Sequence, residues 1–211
     1  MFIELVDHLR CVAAHEETWL VLGADRMEGR RVAEGRLGCP TCRAAYAIRD
    51  GVVWLGLEPG APLPDEPAPD AAALEEEATR IAAFLDLREP GTRALLGGTL
   101  GHAAHLVAAL TEAELLLVDP PAAVRAGEGV SILRTGGRLP LAEASMRGAA
   151  LDARTAPLLA EAARTTRDKG RVVAPAATPL VDGLVELARD ARQWVAEREA
   201  RASAPVQLRL V

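Results

Sequence analysis

The sequence predicts an α/β protein, with a reduced, mostly parallel sheet preceded by a small β module. Three stretches carry that expectation. Residues 93–120, RALLGGTLGHAAHLVAALTEAELLLVDP, run from a short apolar segment through Gly97-Gly98 and a helical pattern to a second apolar segment ending in Asp119. Strand, glycine turn, helix, strand and acid make the first half of a nucleotide-binding βαβ unit. Residues 35–57 carry a Cys-Pro-Thr-Cys knuckle and an Asp50-Gly51 turn between apolar runs, the pattern of a small β hairpin. Between the two lies EPGAPLPDEPAPD, a proline-rich acidic connection poor in large apolar residues. The expected organisation is a module over 1–57, a linker over 58–70 and an α/β domain over 71–211.

In chain order, Phe2, Ile3, Leu5, Val6 and Leu9 form a short apolar start, followed by Cys11 and His15. Residues 19–23 (WLVLG) read as a strand, and ADRMEGRRVAEG reads as a polar hairpin-like excursion. Strands are expected over 45–48 and 52–55. Beyond the linker, Leu74, Ala78, Ile81, Ala82 and Leu85 repeat at helical spacing, with Glu75, Glu76 and Glu77 facing solvent. The helix after the glycine turn opens near Gly101 and is expected to carry Leu106, Val107 and Leu110 on one side. Further strands are expected over 115–118, 130–133, 149–152 and 171–174, with a helix between the last two. The connection from 130–133 to 149–152 has little helical character. Residues 180–200 read as a long amphipathic helix built on Leu184, Val185, Leu187, Ala188, Ala191, Trp194 and Val195, and 205–211 (PVQLRLV) as a final strand.

The chain has 211 residues, half of them hydrophobic but only 3% aromatic, so its core is one of Leu, Val and Ala. A net charge of −6 argues against a broad nucleic-acid surface. Glu4 and Asp7 interrupt the stretch where a signal peptide needs an apolar run, and no apolar stretch approaches the roughly 18 residues of a membrane span. These features lead us to expect a soluble, cytoplasmic protein. Three cysteines, two of them as Cys-x-x-Cys, point to a metal or redox role before a disulfide framework.

Cys39, Cys42, Tyr46, Ile48, Asp50, Gly51 and Val52 follow the C-x-x-C … Y-P-I-x-D-G-V pattern of a zinc-ribbon-like domain. This stretch resembles the module found at the N-terminus of some bacterial methyltransferases and as a free methyltransferase-activating protein. The family's first cysteine pair is only half present, with Ala14 in the second place; His15 is the natural substitute. Cys11, His15, Cys39 and Cys42 then make a Cys₃His set suited to tetrahedral zinc. The other reading keeps three cysteines as small buried apolar groups without metal. His8 lies inside the apolar start and is disfavoured as a ligand. A redox role for Cys39 and Cys42 is disfavoured because no thioredoxin-like helix follows them.

Residues 71–176 resemble class I S-adenosylmethionine-dependent methyltransferases in their helix, D-L-x-x-P-G, strand, glycine turn, helix, strand, acid order. The likeness continues in RLPLAEASM (138–146) and LLAEAARTTRDKGRVV (158–173). It implies a Rossmann-like sheet and S-adenosylmethionine as cofactor, with Gly97, Gly98 and Gly101 giving close backbone approach and Asp119 holding the ribose. Asp119 stands 18 residues past Gly101, close to the roughly 20 of such units. Three departures accompany the likeness. Leu95 and Leu96 stand where the family has an acid, and Leu100 or His102 occupies a usual glycine position. The third strand ends in Thr135-Gly136-Gly137 without an acid. His102 and His105, one turn apart, read as helix-start and surface residues before catalytic ones. No Asn/Asp-Pro-Pro-Tyr/Phe segment follows the fourth strand, and in place of the family's closing antiparallel strands stands the 180–200 stretch. Two functions therefore remain open: methyl transfer to an unidentified small-molecule or protein acceptor, and a catalytically inactive, methyltransferase-like scaffold that binds a protein partner.

Overall fold

The computed structural model describes residues 1–200; the strand expected over 205–211 lies outside them. The described residues form an α/β fold on one sheet of eleven strands, in the order β1-β2-β3-β4-β7-β6-β5-β8-β9-β11-β10. A 3-10 turn over Ile3–His8 leads to β1 (Val21–Glu28), β2 (Arg31–Gly38), β3 (Ala45–Arg49) and β4 (Val52–Trp54), all antiparallel to their predecessors. Helix α1 (Ala71–Phe84) follows the linker, capped by the Asp70 carboxylate, which accepts from Ala73 N–H at 2.9 Å. Then come β5 (Arg93–Gly97), a 3-10 turn over Gly98–Ala103, α2 (Ala104–Thr111) and β6 (Glu114–Val118). The chain continues through β7 (Val130–Arg134), β8 (Met146–Ala150), α3 (Leu159–Thr165), β9 (Thr166–Pro175), β10 (Leu184–Arg189) and β11 (Gln193–Arg198).

Strands β7, β6, β5, β8 and β9 are parallel, and β4 joins them in parallel register, Val52 beside Ile132. The strands from residues 1–57 therefore extend the same sheet as the α/β region. Buried on both faces, the central strands read as near-continuous apolar runs, and their alternation sends neighbours to opposite layers. Ala94, Leu96, Leu115, Leu117 and Ile132 meet Ala78 and Ile81 of α1 and Ala104 and Val107 of α2. Leu95, Leu116, Leu133 and Val172 face the other way, toward Leu5, Leu141, Leu159 of α3 and Trp194. From β5 the chain proceeds outward through β6 and β7, then returns to lay β8 and β9 on β5's other side. The carboxyl ends of β5 and β8 thus border a topological switch point, where such sheets open a crevice.

The structure corrects several sequence expectations. Residues 180–200 are a hairpin, β10 and β11, not an amphipathic helix. The Asp190 carboxylate accepts from the N–H groups of Arg192 and Gln193 at 2.7 and 2.8 Å, closing the turn. Strand β11 lies between β9 and β10, so Trp194, Val195 and Ala196 are all buried. Edge strand β10 leaves Val185 and Leu187 about half exposed, at 48% and 50%. Ladder pairing with β9 thereby outweighs a helical periodicity that short apolar runs also satisfy. On α2, Val107 is buried, whereas Leu106 and Leu110 are exposed. The 3-10 start rotates the helix so that Ala103, Ala104 and Val107 face the sheet. Trp19 makes only an isolated bridge to Arg10 ahead of β1, and the polar excursion is the β1–β2 hairpin itself. Strand β8 begins at Met146, earlier than expected, and β9 is longer. Residues 135–145 contain no helix, as the sequence suggested. No helix of the described residues is long and apolar enough to cross a membrane.

Candidate functional site

Two places gather the sequence-predicted site residues. In the first, Cys11, His15, Cys39 and Cys42 come together with all four ligand atoms within 4.8 Å of one another. Cys11 is held next to the β1 entry, its N–H donating to Thr18 O at 3.0 Å. Cys39 and Cys42 sit on the turn between β2 and β3. There Arg43 N–H donates to Cys39 O and Cys39 N–H to Ala44 O, with Arg43 at φ 63°. The Cys11 and Cys42 sulfurs are 3.7 Å apart, and Cys39 Sγ lies 3.4 Å from His15 Nε2. Tetrahedral zinc with bonds of about 2.3 Å to sulfur and 2.0–2.1 Å to nitrogen gives edges of about 3.8 and 3.6 Å. The donor set fits a metal ion of that kind. His15 Nδ1 lies 2.6 Å from Glu16 O, and as the N–H of that bond it leaves Nε2 free to bind. Burial pushes the Cys39 thiol up, but backbone N–H groups of Cys42 and Thr41 and the neighbouring thiols outweigh it and bring its pKa down to about 6. The three cysteines form no disulfide.

The second place is the strand-end crevice. Residues Gly97, Gly98 and Gly101 form the turn after β5, and Asp119 follows β6, its neighbour in the sheet. The turn is filled from within the protein. The carboxylate of Asp152, just beyond β8, accepts from Thr99 N–H at 2.8 Å and from the Thr99 hydroxyl at 3.0 Å. Its other oxygen accepts from Thr155 N–H at 2.8 Å and the Thr155 hydroxyl at 2.7 Å. A Cβ on Gly98 would lie 2.1 Å from an Asp152 oxygen, and one on Gly97 would lie 2.3 Å from the Thr155 hydroxyl. Gly98 also adopts φ +60°, open to glycine at little cost. Gly101 is packed instead on Pro120, 2.9 Å from its would-be Cβ. The glycines at 97 and 98 thus make room for Asp152 and Thr155.

Asp119 is similarly engaged. Its two carboxylate oxygens accept from Thr135 N–H at 2.9 Å and from the Thr135 hydroxyl at 2.7 Å. Asp119 itself has φ 47°. Leu100 turns onto the α1–α2 core, His102 is half-buried, and His105 Nε2 pairs with Arg125 O at 3.1 Å. A cleft of about 440 Å³ opens beside the turn, walled by Thr99, Leu100, Asp152, Gln193 and the flank of α1. Asp119 is not among its walls. The glycine turn and Asp119 thus each hydrogen-bond within the protein, and the cleft beside the turn does not reach Asp119.

Sequence reasoning missed Asp152 and Thr155 as partners of the turn. The available signal was Asp-x-x-Thr straight after an apolar strand, a local hydrogen-bonding pattern of Asp and Thr side chains. Asp152 also gives a pH prediction. Burial raises its pKa, but the bonds from Thr99 and Thr155 outweigh that and hold it below the usual value of 3.8. A carboxylate depressed in the folded state contributes stability above its unfolded pKa and loses it as pH falls through the folded one. Asp152→Asn is expected to cost about 1.5–3 kcal/mol at pH 7, with the gap to the unmodified protein closing as the pH falls below 3.8 and through the lowered folded-state pKa. Urea unfolding across this pH range checks this, and a gap unchanged with pH would place the stabilisation elsewhere.

No family model matches the sequence, and no curated protein matches it. Similar solved structures include S-adenosylmethionine-dependent methyltransferases and the [4+2]-cyclase SpnF. Geranyl diphosphate methyltransferase in complex with S-adenosylmethionine is similar at a TM-score of 0.40 and 16% identity, over 47% of this chain and 48% of that one. The antibiotic-resistance methyltransferase Kmr is similar at 0.40 and 16%, over 59% and 93%. A chain of the complex between the Haloferax volcanii Trm112 methyltransferase activator and a proposed methyltransferase is similar at 0.45 and 9%, over 63% and 94%. The chain thus spans about half the length of the geranyl diphosphate methyltransferase.

Proposed function

We propose that this chain is a methyltransferase-like protein without methyl-transfer activity, acting as a binding or scaffold protein for a protein partner. The observation that carries this reading is the Asp152 carboxylate, seated in the glycine turn by four hydrogen bonds from Thr99 and Thr155. In this reading Gly97, Gly98 and Gly101 serve close packing, and Asp119 braces Thr135 at the end of β7. The N-terminal region supplies a zinc site of Cys11, His15, Cys39 and Cys42. Four protein ligands leave no open position for water or substrate, so the ion's contribution is structural. It ties the segment before β1 to the β2–β3 turn, which holds an exposed Trp19, under the Arg10 guanidinium at 4.1 Å, on that side of the molecule.

Calorimetric titration with S-adenosylmethionine and S-adenosylhomocysteine tests the reading. No heat and no thermal stabilisation at millimolar ligand is the expected result. Micromolar binding that disappears in Asp119→Ala would overturn it and restore methyl transfer, with Asp119 as the ribose acid.

A further inference from the structure

The linker is a strap laid across the carboxyl ends of the parallel strands. It leaves β4 beside β7, where Leu55 N–H donates to Arg134 O at 2.8 Å. Gly56 then lies so close to Thr135 O that a Cβ would sit 2.1 Å from it. Pro64 O accepts from Ala122 N–H, in the loop after β6, at 2.8 Å. Glu66 Oε1 accepts from Arg154, beyond β8, at 3.0 Å. Pro69 reaches the cleft beside Thr99 and Asp152, beyond β5 and β8. The strap therefore passes the ends of β7, β6, β5 and β8, the side on which α/β sheets bind ligands.

Under the strap lie two guanidinium groups, and of the strap's carboxylates Glu66 bonds to one of them. Arg134, only 3% exposed, donates through Nη1 to Pro120 O, while its buried Nε has no hydrogen-bond partner. Arg154 spans the layer, donating to Asp119 O at 2.8 Å and to Glu66. Burial holds the Arg134 guanidinium below its ordinary range; Asp119 opposes this, and Arg154 and Arg125 add to it. Glu66 brings one carboxylate, whose Oε2 is buried and unpartnered. What the strap offers the sheet is an anion for Arg154 and an acceptor for the Ala122 N–H.

We propose that the strap is a displaceable internal occupant of an oxyanion site formed by Arg134, Arg154 and the Ala122 N–H, and that the external ligand is a phosphate-bearing small molecule. A phosphate presents several oxygens to guanidinium groups and a backbone N–H at once, whereas the single Glu66 carboxylate reaches only Arg154. Displacement exchanges Glu66 and Pro64 for the ligand and breaks no covalent bond. The site takes an anion and uses neither the glycine turn nor the Asp119 carboxylate, so it stands apart from the non-catalytic reading above.

The test is calorimetry of the full chain with inorganic phosphate and pyrophosphate, and with acetate as the carboxylate arm, at constant ionic strength. Glu66→Gln keeps the side chain's shape and removes its charge, and is expected to bind phosphate at least tenfold more tightly than the unmodified protein. Glu66→Gln/Arg154→Gln is expected to lose that gain, with thermal midpoints verifying that each variant is folded. A folded Glu66→Gln protein that takes up no phosphate or pyrophosphate at tens of millimolar overturns the site and leaves the strap a structural element. Acetate binding as tightly as phosphate overturns the ligand class. A parallel titration of Glu66→Gln with S-adenosylmethionine keeps the two readings distinct: binding there defeats the non-catalytic reading, while the phosphate result decides the oxyanion site.

Discussion

Trp194→Ala is expected to destabilise the protein by about 3–5 kcal/mol, the range for deleting a fully buried aromatic side chain. At this chain length that lowers the thermal midpoint by roughly 6–20 °C. The size of the effect follows from position. Trp194 is 0% exposed, in a strand paired on both sides, and packs with the layer that contains Leu95 and Leu159. Its indole N–H donates to Thr178 O at 2.7 Å, so truncation also strands a carbonyl. Trp194→Phe separates the two contributions: it restores most of the volume and is expected to recover all but about 1–2 kcal/mol. Val185→Ala and Leu187→Ala on the outer strand, about half exposed, are expected to cost under 1 kcal/mol each. Equal losses at Trp194 and Leu187 in urea unfolding would contradict the hairpin and favour a helix with one buried stripe.

Removing the metal is the second large effect. Metal content measured on protein purified without added chelator is expected to give one zinc per chain. A strong chelator, or Cys39→Ser, is expected to lower the thermal midpoint by about 8–16 °C. That figure corresponds to about 4 kcal/mol for an ion held at 1,000 times its dissociation constant, converted at roughly 2–4 °C per kcal/mol. The loss should fall first on the region before β1 and the β2–β3 turn, because the four ligands join these two segments. Hydrogen exchange resolves this: amides of residues 11–18 and 39–44 should lose protection before those of β5 and β6. His15→Cys offers a positive control, since a Cys₄ set suits the same ion. A protein that contains no metal and melts identically with chelator would leave the three cysteines, of which only Cys39 is buried, as unligated thiols.

Much of the α/β layer was legible in the sequence because its physics is local. Runs such as Leu95-Leu96 and Leu115-Leu116-Leu117 are bounded by glycine or acid and separated by a helix-length interval. Strands buried on both faces cannot hide that pattern. Helix α1 was equally plain from its stripe through Ala78 and Ile81, whereas its cap, Asp70, reads in the sequence as the end of the linker. The hairpin at 184–198 was not legible. Leu184, Val185, Leu187, Ala188, Ala191, Trp194 and Val195 read as a helical face, and the turn at Asp190 contains no glycine or proline to break it. Which pattern prevails depends on β9 offering a free edge, and that is a long-range fact.

What the sequence by itself determined is the succession of elements and the chemical character of each: an apolar parallel core, a cysteine knuckle, an acidic proline-rich connection. Tertiary structure alone decided what the site residues face. Asp119 and the glycine turn stand at neighbouring strand ends, yet Asp119 bonds to Thr135 while the turn takes the Asp152 carboxylate and packs on Thr155, residues 16 to 58 positions away in the chain. The proline-rich connection likewise reads as a spacer until the sheet places Ala122 and Arg154 beneath it. The reason is physical. Strand and helix signals repeat within a few residues, whereas a buried carboxylate takes its donors from whichever strand ends the sheet order makes neighbours.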